Sequence, residues 1–518
     1  MPSSLINYVR LANTASRLIP LSAVLSPASL TANVDISTNQ TACPIVSTLD
    51  FTQEALYNFR DKTDYPGYSL SYYNTTDVNG TNPGWFDYWD QPSKNARRLA
   101  TTSVYLKRPV SSEDAAVKSC GVGWNCTYEI AFKGPGYRCM ELASGVGSND
   151  SALAAMKAPF NTSYLAPAGN AIYLAGVNAG EYQDPQLPTN EHGEPQSSGP
   201  WPQFLGAFET EPVLWIGQSI DTGDLWPAGS PYASRWATVR VPKIFRCEHY
   251  ETLYSIKMNY TDGIQTATTT NRTFLSPVVD TTFQVAPDGS RTSVPISNYV
   301  LPNARVSHYK ITAAYHAMGA LLRNFLRGSI MHDGTYPLTR SDVSETRLID
   351  QRTSYPVPDL MEQIQGVYED MLVTLMSEPH LVVAANTSVP CLKSRSVNVF
   401  RYHLYSLWIG YSISIFIAAA FLVVGGYSMW ENGVASDTMF SRIMVTTRNP
   451  TLDHLSNGAC LGNDPFPVEL RRTKLRFGVL LEDDSEYAGA GGVEERLEHC
   501  AFGTEGETKP IVRNGWYA

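Results

Sequence analysis

Hydrophobic and polar positions change rhythm several times along this 518-residue chain. Between residues 40 and 400 the commonest rhythm has a period of two, which sends alternate side chains to opposite faces of a strand. Residues 127–132 (TYEIAF) alternate and then meet Gly134-Pro135-Gly136, which predicts a turn, with Cys126 and Cys139 flanking the unit as a candidate staple. Residues 245–260 place Tyr250, Tyr254, Ile256, Met258 and Tyr260 on one face; Asp262-Gly263 then predicts a hairpin turn, with residues 264–274 returning. Residues 212–216 and 236–241 are further expected strands. Two segments switch to helical spacing. Residues 309–326 align Ile311, Ala314, Met318, Leu321, Leu322 and Phe325, and residues 359–377 align Leu360, Ile364, Val367, Met371 and Leu375 behind Pro356 and Pro358. Residues 181–202 are rich in Pro, Gly, Gln and Ser and predict an exposed loop or linker. The expected fold is α+β: one large β-rich unit with two amphipathic helices, or two subdomains meeting near that loop.

A different pattern covers residues 404–429, which contain no Asp, Glu, Lys, Arg or His. A helix needs about 20 such residues to cross the hydrocarbon of a bilayer. Tyr405 and Trp408 stand at one end, Tyr427 and Trp430 at the other, where interfacial aromatics belong. Near the start, Arg10 and Arg17 flank or precede a short apolar stretch, 18–30, interrupted by Pro20 and Pro27, which resembles a signal peptide or signal anchor. The expected organisation is a signal or anchor segment (1–34), a glycosylated ectodomain (35–403), a transmembrane helix (404–430), an ordered cytosolic tail (431–481) and a disordered acidic end (482–518). Within the tail, Ser436 is expected to cap a short helix through residue 445, residues 468–475 to form another helix, and residues 475–481 a strand. Arg471, Arg472, Lys474 and Arg476 form a basic cluster, read as a solvated face rather than a lipid-headgroup contact.

The basic flanks of the apolar run do not fix its direction: Lys393, Arg395 and Arg401 precede it, Arg442 and Arg448 follow it. Sequons and cysteines do point one way. N-x-[ST] begins at Asn39, Asn74, Asn79, Asn125, Asn149, Asn161, Asn259, Asn271 and Asn386, all ahead of the run. Cys43, Cys120, Cys126, Cys139, Cys247 and Cys391 lie on the same side and are the disulfide candidates, with pairing left open. Cys460 and Cys500 follow the run and are expected as thiols. Tyr (29) outnumbers Phe (18), which suits β-rich structure. The formal charge of -10 argues against a nucleic-acid partner. The expected partners are the lipid bilayer and a cytosolic protein bound by the tail.

Catalytic patterns do not emerge. Gly217-Gln218-Ser219-Ile220-Asp221 lacks the second Gly of a nucleophile elbow, and neither a P-loop nor a C-x-x-C is present. His308 and His316 lie eight apart on a predicted helix, and Asp221, Asp224, Asp280 and Asp288 lie in a Thr-rich region; core-edge histidines and solvated carboxylates are the plainer reading of both. No catalytic, cofactor or metal residue is assigned. The expected function is binding or sensing by a membrane-anchored glycoprotein. The alternatives are a membrane-tethered extracellular hydrolase and a structural subunit paired through small residues at 418–420 and 425–426.

Four stretches carry a resemblance: RLIPLSAVLSPASLT from Arg17, GWNCTYEIAFKGPGYRC from Gly123, VNVFRYHLYSLWIGY from Val397, and TTRNPTLDHL with KLRFGVL in the tail. Together they resemble a family of uncharacterised fungal multi-pass membrane proteins, some described as formylmethionine deformylase-like. Family members tend to carry further hydrophobic spans ahead of the first stretch, so the resemblance implies a short isoform or a truncated gene model. A deformylase holds its metal with H-E-x-x-H and a Cys. Glu191-His192 and Glu248-His249 have no second His four positions on, so the resemblance transfers no catalytic residue.

Overall fold

Alternating stretches become strands and the two 3.6-period stretches become helices. The computed structural model describes residues 29–58, 60, 61, 68–178, 187–189, 191–196, 198–289, 291–332, 336–432, 449–455, 457, 468–481, 498–512, 515 and 517. In chain order its strands are β1 (Leu30–Leu49), β2 (Ser71–Thr75), β3 (Asp87–Pro92), β4 (Asn125–Ser144), β5 (Ala171–Asn178), β6 (Val213–Asp221), β7 (Arg240–Thr261), β8 (Ile264–Pro277), β9 (Thr282–Val285), β10 (Arg291–Ser297), β11 (Gly328–His332), β12 (Pro337–Arg340), β13 (Ala384–Tyr402), β14 (Leu475–Leu480), β15 (Cys500–Thr504) and β16 (Thr508–Lys509). The helices are α1 (Lys94–Leu106), α2 (Ala115–Cys120), α3 (Asp150–Ala155), α4 (Val306–Leu326), α5 (Leu360–Leu375), α6 (Leu404–Asn432), α7 (Pro450–Leu455) and α8 (Val468–Arg472).

The chain divides into two compact units, Ile36–Val397 and Met1–Asp35 with Asn398–Ala518. The first is built on a nine-stranded sheet in the order β1-β13-β4-β7-β6-β5-β11-β12, with β8 also beside β7. β7 is its spine. It pairs with β4 along almost its whole length, and on its other edge with β6 first and then β8. The Asp262-Gly263 turn joins β7 to β8 with both residues at positive φ, the conformation a tight two-residue hairpin requires. Tyr254, Ile256, Met258 and Tyr260 are buried, and with Tyr128, Ile130 and Phe132 of β4 they form the inner face of the sheet. α4 and α5 supply Met318, Leu321, Leu322, Ile364, Tyr368 and Met371 to the same core. Where β7, β6 and β5 run together the other face is covered too: Ile244, Trp215 and Leu174 of these strands form a separate apolar cluster with Leu153 of α3.

Several expectations are corrected. Gly134-Pro135-Gly136 is no turn: β4 runs straight through it, with Gly134 opposite Thr252 and Gly136 opposite Tyr250. The glycines answer a packing demand instead. A Cβ on Gly136 would sit 2.3 Å from Thr252 Oγ1 and 2.5 Å from the Tyr254 hydroxyl, and one on Gly134 would sit 3.0 Å from the Phe51 ring. Cys126 and Cys139 do not staple to each other. Cys126 pairs with Cys120, Cys139 with Cys247 directly across the β4–β7 ladder, and Cys43 with Cys391. The strand expected from 236 begins at Arg240, because the Trp236 indole turns into the core and donates to the Pro167 carbonyl. α1 is a third substantial helix, capped by the Ser93 hydroxyl on the Ala96 N–H and ended by Lys107 in the left-handed conformation. It packs on α5 and buries Ala96, Leu99, Ala100 and Val104.

In the second unit, β14 lies between β15 and β16. The chain end expected to lack structure from 482 onward thus carries two strands, because Ala501 is buried and Phe502 packs on Phe477. The helix expected at 468–475 ends at Arg472. The helix expected after Ser436, the segment 18–28 and residues 181–186, 190 and 197 of the 181–202 loop lie outside the described residues.

Candidate functional site

The densest polar constellation among the described residues lies inside the first unit, where the sheet meets α4 and α5. Glu211, just ahead of β6, sends Oε1 to His249 Nδ1 of β7 at 2.9 Å and Oε2 to His316 Nδ1 of α4 at 2.8 Å. Arg323 lies seven residues beyond His316, two helical turns along the same face, and its Nη1 donates to Glu211 Oε1 at 3.1 Å and to the Tyr137 hydroxyl at 2.8 Å. His249 Nε2 lies 3.0 Å from the Tyr368 hydroxyl of α5. α4 comes this close because residue 319 is glycine; a Cβ there would fall 2.8 Å from the Arg323 guanidinium and 2.9 Å from the His249 ring.

A carboxylate only accepts, so Nδ1 carries the proton in both rings. A neutral His249 then accepts at Nε2 from the Tyr368 O–H, giving a relay from Tyr368 through His249 to Glu211. Burial lowers the proton affinity of both histidines against the opposing pull of Glu211. Burial by itself would raise the Glu211 carboxyl, yet His316, His249 and Arg323 hold it well below the usual range. Burial pushes the Tyr137 phenol up to about 12. The group is therefore one carboxylate, one guanidinium, two neutral imidazoles and two neutral phenols, with no net charge.

This relay has the hydroxyl–imidazole–carboxylate order of a hydrolytic triad, with a phenol where the nucleophile would stand, but not its access. Tyr368 is fully enclosed, His249 and His316 are 3% and 2% exposed, and the His316 ring is walled by Trp89 and Phe208. Two histidines and a carboxylate also suit a metal by type. Here the Arg323 guanidinium already stands on Glu211 Oε1, and no cluster able to hold a metal ion is found among the described residues. What the arrangement does is join β4, β7, α4 and α5 through one buried carboxylate.

The sequence pattern brings forward His316, matched with His308, which is exposed, and names His249 only as lacking the second His of a metal motif. The seven-residue step from His316 to Arg323 was the one legible signal. Glu211 and His249 are brought in from 105 and 67 residues away in sequence. The four acidic candidates do not assemble a site: Asp221 pairs with Arg240 at 2.9 Å, and Asp224, Asp280 and Asp288 are exposed in loops. Ser219 is 2% exposed within β6.

The nine sequon asparagines all lie in the first unit, and none is buried. Asn39, Asn79, Asn149, Asn161, Asn271 and Asn386 are exposed; Asn74, Asn125 and Asn259 are half-buried. Asn125 Oδ1 accepts from the Asp262 N–H, Asn259 Oδ1 accepts from the Thr127 hydroxyl, and Asn149 Nδ2 donates to the Leu142 carbonyl. Asn125, Asn259 and Asn271 belong to the face of the β4–β7–β8 sheet that points away from the core.

In the second unit, residues Leu404–Tyr427 of α6 form a helix long and apolar enough to cross a membrane, with 6% of its most apolar window buried. One residue, His403, separates it from β13. The His403 N–H donates to the Ser29 carbonyl at 2.7 Å, and its Nε2 lies 3.0 Å from Thr31 Oγ1. Compared with known proteins, the chain matches no protein-family model, no curated protein and no solved structure.

Proposed function

We propose that the chain is a membrane-anchored glycoprotein of the secretory pathway whose β-rich unit binds or senses a ligand on the lumenal or extracellular side. The observation that carries this is the long, apolar, uncovered helix that follows β13 after a single residue. Three disulfides and nine solvent-reachable sequons ahead of that helix support the assignment of sides, since disulfides persist in oxidising compartments. Kinship with the fungal membrane-protein family belongs to the same proposal. So does a cytosolic partner of the tail, whose strands β14–β16 provide a small ordered platform. Binding is favoured over hydrolysis because the Tyr368–His249–Glu211 relay is closed to any substrate.

The test is the gel mobility of a C-terminally tagged full-length protein, made in a eukaryotic host, before and after N-glycosidase treatment. Loss of several glycans' mass from a membrane-pelleting protein is the expected result. An unchanged mobility in a membrane-inserted protein would overturn the lumenal placement.

A further inference from the structure

The two strands that approach α6 have a sidedness the fold leaves unused. Over β1, Leu30, Ala32 and Val34 alternate with Thr31, Asn33 and Asp35, so apolar side chains share one face. That face is uncovered: Leu30 is 53% and Val34 72% exposed. On β13, Phe400 and Tyr402 share a face, with Arg401 opposite, and they are 70% and 52% exposed. β1 is the terminal strand of its sheet, and β13 pairs with β4 only as far as Ser394, so this end is a two-stranded ribbon. Such a ribbon is marginal in water unless its apolar face is covered.

We propose that this ribbon end, residues 29–35 with 398–403, lies along the phospholipid surface with Leu30, Val34, Phe400 and Tyr402 in the interfacial layer. The inference rests on the membrane-anchoring reading. Its particular argument is continuity: Phe400 is about 13 Å of extended chain from the first residue of α6. The headgroup layer is about 5–8 Å deep on each side of the hydrocarbon, so a ribbon lying flat keeps these side chains within it. Phenylalanine and tyrosine then extend the aromatic belt begun by Tyr405 and Trp408, and Arg401 faces headgroups or water. The hydrogen bond from His403 to Ser29 holds the two strands at the same depth.

The test uses the full chain with Cys460 and Cys500 replaced by serine, carrying one nitroxide-labelled cysteine at a time and reconstituted in phosphatidylcholine vesicles. Collision with oxygen is compared with collision with a water-soluble nickel chelate at Phe400→Cys and Val34→Cys. Ile415→Cys, inside α6, reads the anchor, and Val78→Cys, at an 82% exposed position, reads bulk water. The expected result is an oxygen-to-nickel ratio at 400 and 34 raised several-fold above that at 78 and below that at 415. Values at 400 and 34 equal to that at 78, with 415 deep, overturn the ribbon proposal and leave the anchor standing. A value at 415 equal to that at 78 overturns the anchor, and the ribbon proposal falls with it. Nickel exclusion at 34 accompanied by spin–spin broadening would mean that a second copy covers the face, which also overturns the proposal.

Discussion

Glu54 and Glu211 are both buried carboxylates, and their neighbours drive them in opposite directions. Glu211 has a guanidinium and two imidazole N–H groups and stays ionised. Glu54 accepts from the Ser69 hydroxyl at 2.7 Å and the Leu70 N–H at 2.8 Å, both neutral donors. Burial pushes it up to about 7, against these bonds and Lys310. The folded chain thus holds a proton on Glu54 between its ordinary value of 4.5 and about 7, where the unfolded chain does not. That contribution to stability is full below 4.5 and lost as pH rises through 7, amounting to about 3 kcal/mol. The buried histidines slope the other way: their folded values lie below the ordinary 6.5, so acidification below that value weakens the fold. The two effects overlap in pH, so the readout is a difference. Glu54→Gln is expected to gain stability relative to the wild type as pH rises from 5 to 8, measured by denaturant titration. A parallel pair of pH profiles would contradict this.

β4 shows how an element overrides its own local signals. Gly-Pro-Gly favours a bend, yet the strand passes through because β7 pairs with it on both sides of the triplet. The residues that look like breakers are what let Phe51, Thr252 and Tyr254 pack against the backbone, and the Tyr254 hydroxyl donates to the Pro135 carbonyl. Gly136→Ala is therefore expected to destabilise the fold by about 1–3 kcal/mol through overpacking. Gly506→Ala, where a methyl group meets nothing within 4 Å, serves as the neutral control in the same thermal unfolding series. Equal melting temperatures for the two variants would refute the packing explanation. α5 is tied down by charge instead: Arg272 of β8 bridges Glu369 and Glu362 of that helix, and Arg347 pairs with Asp370.

Across the first unit as a whole, the Cys43–Cys391 bridge joins strands from the two ends of that unit, 348 residues apart in sequence. Cross-linking so long a loop removes much freedom from the unfolded chain. The double variant Cys43→Ser/Cys391→Ser is expected to lose about 2–5 kcal/mol. The Cys120–Cys126 loop spans only six residues, and breaking it should cost less. A ranking reversed between these two variants, measured as melting temperature in mild detergent, would contradict the loop-length argument. Because β1 and β13 lead toward the apolar helix, this bridge also fixes the two chain ends of the β-rich unit to each other before they leave it.

The apolar helix, the helices α4 and α5, the β7–β8 hairpin and the set of six pairing cysteines were all legible in the chain, because each rests on a short-range pattern: a periodicity, a turn dipeptide, a run without charge, or a composition confined to one side. α1 was legible in principle from Ser93 and its spacing of Ala96, Leu99, Ala100 and Val104, but three of its first five residues are charged and its apolar stripe is thin. What only the tertiary structure decided are relations between distant residues. Which cysteine meets which, why Gly134 and Gly136 continue a strand, and how Glu211 gathers His249, His316 and Arg323 all depend on backbones brought together by the sheet. Hydrophobic patterning acts along the chain and is written in it. Charge pairing, close approach and disulfide partnership act through space, across separations that no local pattern encodes.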